Sequence, residues 1–161
     1  MKGSWWRGAR GEWYVVAQGA LFLVIVLAPG TMGGGPAWPA AVAGAATAAG
    51  VLLFAAGVAL ALAGTVSLGR NLTPLPHPKK DARLVVTGAF RLVRHPIYGG
   101  IILMAYGFAL FRHAPLTLGY ATVLFVFFDV KSRREERLLA AKFPGYADYR
   151  RRVRKLIPFL Y

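Results

Sequence analysis

No cysteine occurs among the 161 residues, which excludes a disulfide framework, a thiolate zinc site, an iron–sulfur cluster and a cysteine nucleophile. Acidic residues are nearly as scarce: six Asp and Glu stand against 20 Lys and Arg, a formal net charge of +14. Charge of either sign is thin, at 16% of residues against 57% hydrophobic, with a mean hydropathy of +0.49. A soluble domain carries about a quarter charged residues. The charges present are segregated, with none in residues 13–69, 95–111 or 113–128. Such gaps are of bilayer scale. A basic excess that otherwise suggests nucleic acid is therefore read as juxtamembrane charge, and no nucleic-acid partner is expected.

Four apolar stretches fit membrane helices. Trp13–Ala28 follows Trp5 and Trp6, carries Trp13 and Tyr14 at its start and closes at Pro29-Gly30; it makes about 24 Å of helix with aromatic anchors at one interface. A cleaved signal peptide is the alternative, opposed by Glu12 and the lack of an A-x-A site. Ala37–Leu68 spans 32 residues, about 48 Å as one helix, more than a hydrocarbon core of about 30 Å. It must tilt, protrude or fold back; one long helix is expected, with a hairpin as the alternative. Gly50, Gly57 and Gly64 recur every seven residues, a stripe that admits another helix backbone and permits a dimer without requiring one, so the oligomeric state stays open. Ile97–Phe111 and Pro115–Val130, separated only by Arg112-His113-Ala114, read as a helical hairpin.

Lys and Arg mark cytoplasmic loops. Residues 1–12 hold three, 69–96 six, 112–114 one and 131–161 ten, while 29–36 hold none. Four spans with both termini in the cytoplasm put nineteen of the twenty on one side. The expected fold is thus an all-α integral membrane protein of about four transmembrane helices. Residues 1–68 form its N-terminal transmembrane part, and 69–161 a core with a cytoplasmic C-terminal cofactor-binding region.

Chemistry is sought in the two cytoplasmic segments. In the first, Pro74, Pro76 and Pro78 forbid regular helix and favour an extended strap, and Thr87-Gly88 marks a turn before Arg91, Arg94 and His95. Pro96 suits the first turn of the third helix. His95 then stands at that helix's entrance, where unpaired N–H groups favour an anionic group. Tyr98 and Gly99-Gly100 follow with a hydroxyl and a gap for a ligand. The plainer account makes Arg91 and Arg94 headgroup anchors and His95 a cap. In the second segment the fourth helix continues past the bilayer through Glu135 and Glu136, whose side chains point about 100° apart and cannot make the same contact. After Phe143-Pro144-Gly145, the positions Tyr146, Tyr149, Val153 and Leu156 have helical spacing among five basic residues. They predict a basic amphipathic helix that lies on anionic headgroups or roofs a site.

The run R-H-P-I-Y-G at 94–99, E-E-R-L-L at 135–139 and F-P-G-Y-A-D-Y-R-R-R-V at 143–153 resembles the isoprenylcysteine carboxyl methyltransferase family, related to the membrane phospholipid N-methyltransferases. L-G-R-N-L-T-P at 68–74 and L-V-V-T-G-A-F-R at 84–91 belong to the same pattern. The resemblance implies an integral membrane methyltransferase using S-adenosylmethionine and releasing S-adenosylhomocysteine. It implies cofactor contacts from His95, Tyr98, Glu135 and Glu136, close backbone approach at Gly88 and Gly100, and cofactor- or substrate-orienting roles for Arg133, Arg91, Arg94 and Asn71. No metal is implied.

Methyl transfer from a sulfonium is a one-step in-line displacement that needs alignment and charge control. A carboxylate acceptor needs orientation only, whereas an ammonium must first lose a proton to a base. The sequence presents no lone buried base, which favours carboxyl O-methylation of an isoprenylcysteine-type, lipid-like acceptor at the cytoplasmic membrane face. Phosphatidylethanolamine N-methylation and small-thiol S-methylation are the enzymatic alternatives, and a non-enzymatic basic membrane protein binding anionic lipid is the other class. A transporter wants ionisable groups within the spans, where Asp129 stands alone.

Overall fold

The computed structural model describes residues 11–27, 29–30 and 38–161. The N-terminal Lys2, Trp5, Trp6, Arg7 and Arg10, the end of the first stretch at Ala28, residues 31–36 of the loop that follows and Ala37 at the start of the second lie outside them. Among the described residues there are five α-helices, α1 (Glu12–Leu27), α2 (Ala40–Leu68), α3 (Pro96–Phe111), α4 (Pro115–Lys142) and α5 (Tyr146–Arg152), with 3₁₀ turns at Gly69–Asn71 and Gly88–Arg91 and no strand.

Residues 40–68 form one unbroken helix rather than a hairpin. Its alanines and leucines are strong helix formers, and it stops at Gly69, which takes a positive φ of 50°. Prolines at the first turns of α3 and α4 set both helix starts, as their missing N–H allows. The turn between them passes through His113, at φ 50°. His113 Nε2 lies 3.1 Å from the Ala43 carbonyl and 2.9 Å from the Thr47 hydroxyl, tying the hairpin to the start of α2.

The glycine stripe of α2 is used within the chain. A Cβ on Gly50 would lie 2.7 Å from the Gly107 carbonyl, one on Gly57 2.5 Å from the Gly100 carbonyl, and one on Gly64 2.8 Å from the Pro96 ring. Two antiparallel helices thus meet backbone to backbone at Gly50–Gly107 and Gly57–Gly100, seven residues apart on each, and at Gly64 α2 receives the Pro96 ring, the close approach small residues permit. Gly100, expected to leave room for a cofactor, is spent on this contact.

Ile25, Ile102, Ala105, Ala121, Leu124, Phe128 and Leu156 form the main core between α1, α3, α4 and the C-terminal segment. Phe90, Tyr146 and Tyr149 form a second cluster against Leu84, Val85 and Leu139, under the strap. Among the described residues one helix, α2 with its following turn (40–71), is long and apolar enough to cross a membrane, at a mean hydropathy of 2.3. α1 and α3 are apolar but shorter. Val51, Leu52, Leu62 and Val66 on α2 are at least half exposed, a surface suited to lipid.

The C-terminal expectation is corrected. α5 ends at Arg152 and does not run on to Leu156. Val153 is extended, and a parallel bridge joins Val93 to Arg154. The Arg94 N–H donates to the Arg154 carbonyl (2.8 Å) and the His95 N–H to the Lys155 carbonyl (3.0 Å). Those bonds satisfy the Arg154 and Lys155 carbonyls, which a helix ending at Leu156 would have left among its unpaired last four.

Candidate active site

A cavity of about 320 Å³ opens where the N-terminus of α3, the middle of α4, the 72–86 strap and α5 converge. Its size falls in the range of small-molecule sites. The strap is held over it at several points. The Asn71 side-chain amide donates to the Arg83 carbonyl (3.0 Å) and its oxygen accepts from the Arg83 N–H (3.3 Å). Lys79 donates to the Arg70 carbonyl (2.7 Å), and Lys142 on α4 donates to the Lys80 carbonyl (2.9 Å).

The two glutamates part as helix geometry requires. Glu135 lines the cavity and accepts from the Tyr98 hydroxyl through Oε2 (2.9 Å). Glu136, 4% exposed, lies behind that wall. Its Oε1 accepts from Arg94 Nε (2.8 Å) and lies 3.2 Å from His95 Nε2, while Arg150 Nε is 3.6 Å from Oε2. Burial alone would raise the Glu136 pKa; hydrogen bonds from His95 and Arg94 outweigh it and hold the group at about 2. Glu136 is therefore an ionised acceptor, so His95 donates through Nε2. Its ring stacks on Tyr98 (5.5 Å between centroids, 7° between planes), and Tyr98 stacks on Phe128 (4.6 Å, 18°).

Arg94 acts as a staple: beyond Glu136 it donates to the carbonyls of Arg150 (3.1 Å) and Val153, fixing α5 and the C-terminal segment against the start of α3. Tyr149 donates to the Phe90 carbonyl (2.7 Å). The Tyr146 hydroxyl is buried at the cavity and has no hydrogen-bond partner. Burial pushes its pKa further above the ordinary phenol value, so it stays a protonated hydroxyl in a residue of the cavity wall. Such orphaned groups are rare in folded chains.

Of the residues singled out by sequence, Asn71, Arg94, His95, Tyr98 and Glu135 line this cavity. Glu136 and Arg133 line a second, strongly basic basin of about 610 Å³ on the other side of Arg94, where Arg133 pairs with Asp129 at 2.7 Å. Arg91 is exposed and lines neither. Gly88 is outside the cavity as well: at φ 60° it packs on Ser67 at the end of α2, where a Cβ would be 2.4 Å from the hydroxyl. Gly99 lies under the Leu156 carbonyl, 2.1 Å from where its Cβ would be, and Gly100 faces α2. The gap expected beside Tyr98 is therefore filled by the chain itself. His95 occupies the N-cap position, yet its ring bonds Glu136 instead of capping the helix.

Sequence reasoning gave no role to Lys131 or Gln18, which line the cavity, and placed Tyr146, also in the lining, only on a helix that lies on headgroups or roofs a site. Lys131 is 1% exposed; burial lowers its pKa to about 8, against a smaller opposing pull from Glu135. Its signal was spacing, since Lys131 precedes Glu135 by four residues and shares its helix face. Among the described residues no cluster of His, Asp or Glu is placed to hold a metal ion.

Residues 45–145 match the family model described as phospholipid methyltransferase. Over 115 residues, 69% of the chain, it is 30% identical to a "probable protein-S-isoprenylcysteine O-methyltransferase" of Oryza sativa subsp. indica. It is 27% identical over 115 residues to protein-S-isoprenylcysteine O-methyltransferase B of Arabidopsis thaliana, and 36% identical over 83 residues, half of the chain, to protein-S-isoprenylcysteine O-methyltransferase of Schizosaccharomyces pombe. The matches cover 60%, 58% and 35% of those proteins, so the chain spans less than two thirds of the length of the curated relatives it matches.

Proposed function

The chain belongs to the phospholipid methyltransferase family, alongside the isoprenylcysteine O-methyltransferases, and from that premise we propose that it is an integral membrane, S-adenosylmethionine-dependent methyltransferase. Its acceptor is lipid-like, most simply the carboxylate of an isoprenylcysteine-type molecule, methylated at the cytoplasmic face. The observation that carries this reading is the cavity itself: Glu135, Tyr98 and His95 converge on it beside a Tyr146 hydroxyl that has no partner in the protein.

These residues fit the donor. S-adenosylmethionine supplies, when bound, a methyl group electrophilic enough for one-step displacement. Glu135 spends one oxygen on Tyr98 and keeps the other for hydroxyl or amino hydrogens. The His95–Tyr98–Phe128 stack gives a flat aromatic wall. Tyr146 offers its unspent O–H. Glu136 and Arg94 take the positioning role, holding His95 and the C-terminal segment in register.

The four-span topology with both termini in the cytoplasm is part of the proposal, supported by the basic counts flanking the apolar stretches and by four long helices at the expected positions. It brings a soluble donor and a bilayer-borne acceptor to one interface. A second reading, N-methylation of a phosphatidylethanolamine amine, is favoured by one observation: Lys131, with its lowered pKa, is a base that such an acceptor requires.

The test is a calorimetric titration of S-adenosylhomocysteine into the detergent-purified protein, with Glu135→Gln alongside. Micromolar binding weakened by about tenfold or more in the variant supports the reading. No binding by a folded, monodisperse wild type, in lipid nanodiscs as well, leaves a non-enzymatic basic membrane protein.

A further inference from the structure

Lys131 sits on α4 one turn closer than Glu135 to the apolar half of the molecule, with Phe128, a member of the main core, one turn further in. Its ammonium donates to Gln18 Oε1 of α1 (2.6 Å) and to the Pro74 carbonyl of the strap (3.2 Å). It lies over the face of Tyr98, 5.0 Å from the centroid, and 5.8 Å from that of Phe128. Both partners are acceptors and both rings present negative faces, contacts that favour the charged form against the cost of burial. An ammonium has three donors and no lone pair, and two of the three are spent. Among the described residues no carboxylate forms an ion pair with it; Glu135, the nearest on its own face, is engaged by Tyr98. Glu135 acts on it only from beyond ion-pair distance, and a buried cation without a directly paired anion is costly unless a ligand brings one.

We propose that Lys131 is the specificity-determining residue for the acceptor, its third N–H taking one oxygen of the acceptor's carboxylate. This rests on the methyltransferase reading above and deepens it, since it commits the acceptor to an apolar-tailed acid. The position fits: Ile97 and Ile101 of α3 give the inner part of the cavity an apolar wall for the tail, while the groups suited to the donor lie outward at Glu135, His95 and Tyr146. Charge fits as well, because the carboxylate stands between the Lys131 ammonium and a sulfonium. The oxygen not held by Lys131 forms the new C–O bond as the methyl–sulfur bond breaks. The electron pair of that bond stays on sulfur, and a neutral ester and a neutral thioether result with no proton to place. Lys131 is then left without its anion, which favours product release.

The experiment uses the full chain in nanodiscs, saturated with S-adenosylhomocysteine, and measures binding of N-acetyl-S-farnesylcysteine and of its carboxamide. The wild type is expected to prefer the carboxylate by about tenfold or more at pH 7, Lys131→Met to lose the preference, and Lys131→Arg to keep it. The wild-type preference should fade as pH rises through about 8, where Lys131 loses its proton, and that of Lys131→Arg should persist. Glu135, Tyr98, His77 and His95 also face the cavity and are unchanged in both variants, so the difference between them isolates residue 131. Equal wild-type affinity for acid and amide overturns the proposal. So does a loss of S-adenosylhomocysteine affinity in Lys131→Met, which gives Lys131 to the donor, and so does farnesylamine binding that strengthens above pH 8 in the wild type only, which makes Lys131 a base. If Lys131→Met does not fold, the arginine variant and the pH series still decide. A wild type that binds no S-adenosylhomocysteine defeats the methyltransferase reading instead.

Discussion

Glu135 and Glu136 are consecutive on α4 and serve opposite sides of one wall: Glu135 meets Tyr98 in the cavity, and Glu136 is locked behind it by Arg94 and His95. Substitutions at the two should separate binding from folding. Glu135→Gln is expected to weaken S-adenosylhomocysteine while leaving thermal unfolding within about 0.5 kcal/mol of wild type. Glu136→Ala leaves Arg94 without its buried partner and is expected to cost about 3–5 kcal/mol of stability. Calorimetry beside thermal unfolding checks both, and a Glu136→Ala protein as stable as wild type would remove the positioning role.

Acid should act through Glu136. Its ordinary value is 4.5 and its value in the folded chain about 2. A carboxyl depressed on folding contributes stability that is complete above the higher value and is lost as pH falls through the lower one. The unfolding temperature is therefore expected to fall between pH 4.5 and about 2, and to fall less in Glu136→Gln. Parallel curves for the two proteins would assign the acid transition to other groups.

The α2–α3 contact makes a prediction at glycine. Gly57→Ala puts a methyl 2.5 Å from the Gly100 carbonyl, a backbone atom that cannot swing aside, and should cost about 1–3 kcal/mol. Gly44→Ala on the same helix meets nothing within 4 Å and should leave stability unchanged or raise it by up to about 1 kcal/mol. Equal effects at the two positions would contradict the packing.

Topology is checked by reporters. A cytoplasm-active reporter fused after Tyr161 is expected to be active and one inserted at His113 inactive, since the proposed topology puts the 112–114 turn across the bilayer from both basic segments. The reverse pair of signals would overturn the four-span arrangement.

Helix positions were legible because their signals are local. Pro96 and Pro115 mark starts, Phe143-Pro144-Gly145 a stop, and uncharged runs of bilayer length the rest. Asn71, Arg94, His95, Tyr98 and Glu135 were legible as motif residues, and the structure gathers them in one cavity. What the sequence hid depends on distant partners. Gly99 and Gly100 look like room for a ligand until Leu156 and α2 occupy that room. Val153 and Leu156 keep helical spacing, but the Arg94 and His95 N–H groups, some 60 residues earlier, donate to the Arg154 and Lys155 carbonyls between them and hold the segment extended. Lys131 reads as one more cation in a basic run; only Gln18, 113 residues upstream, and the strap bury it.

The strand-like pairing of residues 93–95 with 153–156 also dictates an order of events. Domains form from the N-terminus as the chain is made, so every apolar helix emerges before the residues that receive the Arg94 and His95 N–H groups exist. The docking of residues 153–156, with Leu156 laid across Gly99, then braces the start of α3, from which His95 and Tyr98 face the cavity.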